Sequence, residues 1–337
     1  MKDAPSYSDI DGKIYNPDSC SALEEAAMRQ EVEMYVLARD HYPGIRLKEG
    51  ELEGIKSIGY WSATKQQSWE LEWHCNEGIE ICFLEAGHLD PCIGGSSIPL
   101  SSQSLSITRP WLRHKIERIG RSKLHWFILD VGVRFPHQEW IWPDWIVLSK
   151  INLTKLTQIL QQNEQPVWTA NNTLRECFAE LGQTIYQNDP IYLDSKIKIC
   201  VNRILLSLLE LFEGESFDLD KGLTSSKRSV ELFLSKLETL YAQIWTLESM
   251  AEYCGLGVTR FSQYCQELTN RSPVKYLNDI RLEQSCRQLT QIPTKLVVDI
   301  ALDCGFGSNQ YFTRVFKERY GVSPQRFRLS QPMNTSL

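Results

Sequence analysis

The sequence predicts a two-domain α+β protein: an antiparallel β-barrel or sandwich followed by helices, then an all-α tail in which one helical unit is used twice. Three observations carry this prediction. Short stretches rich in β-branched and aromatic residues, broken by Gly, Pro, Ser and Asn, fill the chain from Leu47 to Val131. From about Leu153, apolar residues recur at three- and four-residue spacings instead. A seven-residue pattern beginning at Ala251 returns at Ala301. At 337 residues the chain is also longer than one small core organises, which fits two domains with connecting helices.

Taken in order, Ser19 to Asp40 reads as a helix, with Ser21 as its cap and Glu24 and Glu25 in its first turn. Strands are expected over Ile55–Trp61, Trp69–His74, Ile79–Leu84, Ser104–Thr108 and Leu124–Val131. Nine of the ten tryptophans lie between Trp61 and Trp168, where they fill a core, brace a long loop or line a ligand cavity. Helices follow over Leu153–Gln162, Ala170–Tyr186, Ile191–Phe212 and Ser226–Tyr241. Asp189-Pro190 is a start signal for the third, since proline at the first helical position loses no needed donor. Glu213–Gly222, acidic and with two glycines, reads as a linker. The expected domains are therefore 1–150, a β unit; 151–222, a helical connector able to serve as a dimerisation element; and 223–330, the repeated tail.

Composition narrows the function classes. The net charge of -6 hides an asymmetry: Met1 to Asp220 holds 21 Lys/Arg against 32 Asp/Glu, whereas Lys221 to Leu337 holds 15 against 10. An acidic body carrying a basic tail points to a tail that meets phosphate. The ten cysteines include no CxxC pair, which argues against a zinc finger or a thioredoxin-type centre. The first thirty residues lack a secretory pattern, and no apolar run reaches the roughly 18 residues of a membrane span. A reducing, cytoplasmic location is expected, with no membrane partner.

The repeat has a readable mechanism. Ala251-Glu252-Tyr253-Cys254-Gly255-Leu256-Gly257 matches Ala301-Leu302-Asp303-Cys304-Gly305-Phe306-Gly307, and one extra residue later Phe261, Cys265 and Ser272-Pro273 match Phe312, Phe316 and Ser323-Pro324. A short helix carries a small residue where a second helix must approach. Four residues on, a glycine ends it, because a Cβ would resist the left-handed turn. The second helix then sets one aromatic, Phe261 or Phe312, against the core. This is a helix-turn-helix unit, whose second helix is sized for the major groove. Leu282, Cys286 and Leu289 give the helix joining the copies an inward face.

The stretch Asp299–Pro324, with Ala301, Gly305, Phe306, Gly307, Phe312, Phe316, Gly321 and Ser323-Pro324 in phase, closely resembles the signature of bacterial AraC/XylS-type regulators. The resemblance runs back over the first copy and covers roughly Glu231 to Arg328. It implies two helix-turn-helix units held about one turn of double-stranded DNA apart, regulation of transcription beside RNA polymerase, and frequent action as a homodimer on direct repeats. On the second recognition helix Asn309, Gln310, Thr313 and Arg314 form a polar face opposite Tyr311, Phe312, Val315 and Phe316. Asn and Gln suit adenine and Arg suits guanine, so these four are base-reading candidates. Thr259, Arg260 and Gln263 are their counterparts on the first. There Gln266 replaces the basic residue common in the family, which makes this copy the weaker contact. Ser308, as an N-cap, and Arg281, Lys317 and Arg319 are the phosphate candidates.

The N-terminal half resembles, less specifically, the cupin-like effector barrel of many such regulators. The local basis is Trp73-His74-Cys75-Asn76-Glu77-Gly78-Ile79-Glu80, a turn at Gly87, and Arg109-Pro110-Trp111-Leu112-Arg113-His114. His74, Glu80 and His114 match the metal-binding residues of cupins, but Asn76 stands where a second histidine belongs. Three readings stay open: a small-molecule effector pocket lined by His74, Glu80, Arg109, His114, Trp73 and Trp111; a divalent metal at His74, Glu80 and His114; or a structural core in an effector-independent regulator. Aromatic planes beside polar groups suit a sugar or another polar metabolite. A cupin-type metalloenzyme fused to a DNA-binding tail is the rival class. The broken histidine set and the lack of another nucleophile–base pattern tell against it. No cofactor is expected.

Overall fold

A computed structural model describes residues 20–93, 96–133, 137–215, 218–292 and 294–330, together with the backbone of two short strands, β1 (Tyr7–Ser8) and β2 (Ile14–Tyr15), which pair with each other. From Ile14 onward the chain divides between Thr224 and Ser225 into two compact units.

The first unit opens with α1 (Ser21–Met28), β3 (Val32–Ala38), β4 (Ile45–Arg46), β5 (Ile55–Ala63), β6 (Leu71–His74) and β7 (Ile79–Ile93). It continues with β8 (Ser96–Ser97), β9 (Leu100–Ser101), β10 (Ser104–Thr108), β11 (His114–Glu117) and β12 (Ser122–Leu129). It ends with α2 (Lys150–Gln162), β13 (Val167–Thr169), α3 (Asn172–Gln187) and α4 (Leu193–Glu213). The helix expected over Ser19–Asp40 is thus half helix and half strand. Gln30 adopts a φ of 58°, which breaks the helix, and Val32–Ala38 then pairs residue by residue with β5. A ladder on a central strand outweighs helical spacing in a segment this rich in Val and Tyr. Ser21 is the first helical residue and Cys20 takes the cap position.

The main sheet runs β13-β10-β7-β12-β5-β3-β4, with β6, β8, β9 and β11 attached through the long β7 and its neighbours. Among the described residues it does not close, which corrects the expected barrel. Its terminal strands are only three and two residues long, and helices rather than further strands cover one face. On that face Ile58, Ile81, Phe83 and Phe127 share a core with Phe178, Leu181, Ile204 and Leu205 of α3 and α4. The other face buries Trp61, Leu84, Leu124 and Trp126 with Trp69 and Leu71. The tryptophans serve mainly as core: Trp61 and Trp126 bury their rings and donate to Ser122 and Ser57 hydroxyls at 3.2 and 3.0 Å. At Gly87, where a turn was expected, β7 continues. A Cβ there would stand 1.8 Å from the Arg121 carbonyl oxygen, so only glycine lets β12 approach.

The second unit is helical: α5 (Ser226–Leu240), α6 (Leu247–Tyr253), α7 (Val258–Thr269), α8 (Pro273–Gln291), α9 (Val297–Asp303), α10 (Asn309–Tyr320) and α11 (Pro324–Ser330). It has two cores. Phe233, Leu237, Met250, Ala251, Phe261 and Leu277 form one; Leu282, Leu289, Ile300, Ala301, Phe306, Phe312 and Phe316 form the other. Helix α8 contributes to both, Leu277 from its first half and Leu282 and Leu289 from its second. No helix among the described residues is long and apolar enough to cross a membrane.

Candidate functional site

Each copy of the repeat starts with a short helix closed by the same turn. After α6, the Leu256 and Gly255 amides donate to the Ala251 and Glu252 carbonyls at 3.0 and 2.8 Å; after α9, Phe306 and Gly305 donate to Ala301 and Leu302 at 2.9 and 2.8 Å. This crossed pair of bonds needs a left-handed residue, supplied by Gly255 at φ 64° and Gly305 at φ 82°. The next helix leaves with its aromatics buried: Phe261 on α7, Phe312 and Phe316 on α10. The opposite faces are open. Thr259, Arg260 and Gln263 are exposed on α7, and Asn309, Gln310 and Arg314 on α10, with Thr313 half-buried. The Ser308 hydroxyl caps α10, accepting from the Tyr311 amide at 3.2 Å. Lys317 and Arg319 are exposed in its last turn, although Arg319 Nε also lies 3.7 Å from Asp279.

Arg281 departs from expectation. Its side chain is buried; Nε donates to the Tyr241 carbonyl at 2.8 Å, Nη2 to that of Gln243 at 2.7 Å, and the guanidinium lies over Phe306. Burial lowers its pKa from the ordinary value. A guanidinium committed to two carbonyls inside the fold ties the α5–α6 link to α8 and is withdrawn from any phosphate.

In the first unit, His74 and His114 are register partners across β6 and β11, their ring centres 4.2 Å apart. Both use Nδ1 on a backbone carbonyl, that of Glu72 at 2.7 Å and that of Leu112 at 2.8 Å. Carbonyls only accept, so each Nδ1 carries a proton. His114 Nε2 nevertheless stands 2.8 Å from the Glu80 carboxylate, a contact that needs a proton or a cation between the two. Burial pushes the Glu80 carboxyl up, but the charge and hydrogen bond of His114, followed by the charge of His74, hold it below the ordinary value. Asn76 and Thr108 also donate to Glu80, at 3.0 and 3.3 Å. Ligand atoms of His74, Glu80 and His114 all lie within 4.8 Å of one another.

A family described as a helix-turn-helix domain matches residues 250–330, the two turns and the helices α7 to α11. Residues 250–330 are a helix-turn-helix domain. The chain is 26% identical over 184 residues to the HTH-type transcriptional activator RhaS of Escherichia coli O1:K1 / APEC, spanning 52% of this chain and 63% of that one. It is 31% identical over 99 residues to the virulence regulon transcriptional activator VirF of Yersinia enterocolitica, spanning 29% and 36%. The chain thus spans less than two thirds of the length of these curated relatives. Among solved structures, unsaturated fatty acid bound wild-type ToxT of Vibrio cholerae strain SCE256 aligns over 86% of this chain and 99% of its own, at 15% identity and a TM-score of 0.36.

The remaining expected site residues of the first unit have partners of their own. Trp73 is adjacent to His74 on β6 and so faces the other way, where Arg113 lies 4.3 Å from its ring centre; this corrects its place in the pocket. That alternation was legible in the sequence. Trp111 donates its indole N–H to Val133. Arg109 donates to the Gln161 carbonyl and lines a cavity of about 240 Å³ with Leu160, Trp168 and Phe212, a cavity that His74, Glu80 and His114 do not line. Asn278 was not singled out from sequence, and Tyr311 was read only as part of the apolar face and Tyr264 only as a departure from the family pattern. The spacing of Tyr311 to Arg314 and Arg260 to Tyr264 was the available signal.

Proposed function

We propose that this chain is a sequence-specific DNA-binding regulator of transcription, with reading assigned to 223–330, ligand sensing by a cupin-like unit to 1–150, and connection to 151–222. The observation that carries it is the pair of identical glycine turns, each presenting an exposed polar helix, on either side of α8. Thr259, Arg260 and Gln263 read one major groove and Asn309, Gln310, Thr313 and Arg314 the next, while Ser308, Lys317 and Arg319 meet phosphates. RNA polymerase is the protein partner this reading adds, and sedimentation on the site distinguishes one bound copy from two. Selection of duplexes by the full chain should return a bipartite site with reading centres about 34 Å apart. Recovery of no common sequence from folded protein at physiological salt overturns it.

A second reading concerns the sensor. The two Nδ1–carbonyl bonds are the pattern that orients histidines toward an ion, and a divalent cation shared with Glu80 is one way to satisfy the short His114–Glu80 contact. Asn76 in place of a further imidazole leaves three protein ligands. Metal analysis of the purified chain and thermal shift with zinc, manganese and nickel test this; an ion lost in His114→Ala supports it. A metal-free chain indifferent to all three leaves the polar-metabolite reading of the same cluster.

A further inference from the structure

We infer that Tyr311, anchored by Asn278 of α8, is a positioning residue that fixes how Arg314 presents its guanidinium to a base pair. The inference rests on the reading that Arg314 contacts a base. Asn278 Nδ2 donates to the Tyr311 hydroxyl at 2.7 Å. The same ring lies 6.3 Å from Phe306 in the glycine turn, and the Arg314 guanidinium carbon stands 5.3 Å from the ring centre. Tyr311, which the sequence pattern set opposite Arg314, is half-buried at the edge of the polar face, three residues from Arg314 and beside it on α10. Tyr311 is therefore held at its hydroxyl by one helix and along its ring by the turn, and offers its ring to the arginine.

Bidentate reading of guanine needs the planar guanidinium at a defined angle, and an exposed arginine left to itself samples many rotamers that binding must freeze. A fixed aromatic ring narrows them before DNA arrives. The first copy is built differently. Arg260 Nε donates to the Tyr264 hydroxyl at 3.2 Å, and among the described residues no side chain of α8 hydrogen-bonds Tyr264. Only the second recognition helix takes its arginine's orientation from the helix that joins the copies, so α8 sets sequence preference as well as spacing.

The test uses the full chain on its selected site and on sites changed one base pair at a time. Arg314→Ala should lower discrimination at one pair by roughly 5- to 150-fold. Tyr311→Phe, which keeps the ring, and Asn278→Ala should each lower discrimination at that same pair by roughly 2- to 10-fold, with non-specific affinity and salt slope unchanged. Discrimination intact in both variants, beside a relaxed Arg314→Ala, overturns the inference and leaves base reading standing. Equal weakening on every sequence makes Tyr311 merely structural and also overturns it. No relaxation in Arg314→Ala removes the base contact and the inference together. Should Asn278→Ala melt early, Tyr311→Phe alone decides.

Discussion

Arg281 and Arg314 lie on α8 and α10 of the same domain, yet their surroundings set them opposite work. Arg281 is enclosed and spends its donors on two carbonyls, while Arg314 is exposed and backed by a ring. Arg314→Ala should therefore cost roughly 1–3 kcal/mol on the best site and relax one base pair, whereas Lys317→Ala weakens all sequences alike and lowers the salt slope by about one. Titrations across salt concentrations separate the two; equal specificity loss in both refutes the face assignment. His125 and Glu85 make a pH prediction. Burial lowers the His125 pKa below its usual 6.5 despite the carboxylate, so its Nε2–H donates to Glu85 at 2.7 Å as a neutral ring. The His125 hydrogen bond, then that of Lys123, draws Glu85 from 4.5 to about 2 against its own burial. Both groups bind protons more readily in the unfolded chain. Stability is then full above about pH 6.5, falls first as His125 is forced to charge, and falls again between 4.5 and about 2. Thermal melts should follow this course; Glu85→Gln should flatten the lower window, and an unchanged profile counts against the pair.

At the scale of elements, the glycine turn after α9 is a tight joint. Gly305 has φ 82°, and a Cβ there would meet the Tyr241 and Ala242 carbonyls at 2.8 and 2.9 Å and Arg281 Nη2 at 2.9 Å. Gly305→Ala should destabilise the domain by roughly 1–3 kcal/mol from the backbone conformation alone, with the contacts adding to it. Gly307→Ala, where a Cβ meets nothing within 4 Å, should stay within about 0.5 kcal/mol. Urea unfolding of both variants checks the contrast, and similar losses would mean that the turn is not what constrains α9 and α10. Most helices were legible because their signal, apolar residues at three- and four-residue spacings, is local; the cap at Ser308 was read as well, and the structure adds caps at Ser149, Asn171 and Ser225, each accepting from an amide three residues on. Strand β3 was not, because its partner β5 lies beyond a loop and supplies the ladder that decides its state.

For the whole molecule, an acidic body and a basic tail divide at Thr224, and regulation requires that a ligand of the body favour one arrangement of the chain over another. A coupling of about 1–3 kcal/mol, or roughly 5–150-fold in DNA affinity, is the expected size. A thermal-shift screen of the full chain against sugars, sugar acids, amino acids, aromatic acids and divalent metals should yield a stabilising compound whose effect is lost in His74→Ala, and the same compound should change a DNA titration. Compounds that stabilise the body and leave DNA affinity and transcription untouched would defeat the sensor reading.

The sequence by itself determined the repeated tail. A small residue, a glycine four residues later and a buried aromatic lie within eleven residues of one another, and their geometry follows from local sterics wherever the unit is placed. It also brought His74, Glu80 and His114 to notice as a set. Tertiary structure decided what surrounds each group. It left the sheet open by laying α3 and α4 on one face, gave Arg109 the Gln161 carbonyl as a partner, and buried Arg281 against carbonyls forty and thirty-eight residues away. Whether a charge meets water, a carbonyl or a phosphate depends on which distant segments pack around it, and no spacing within its own helix carries that information.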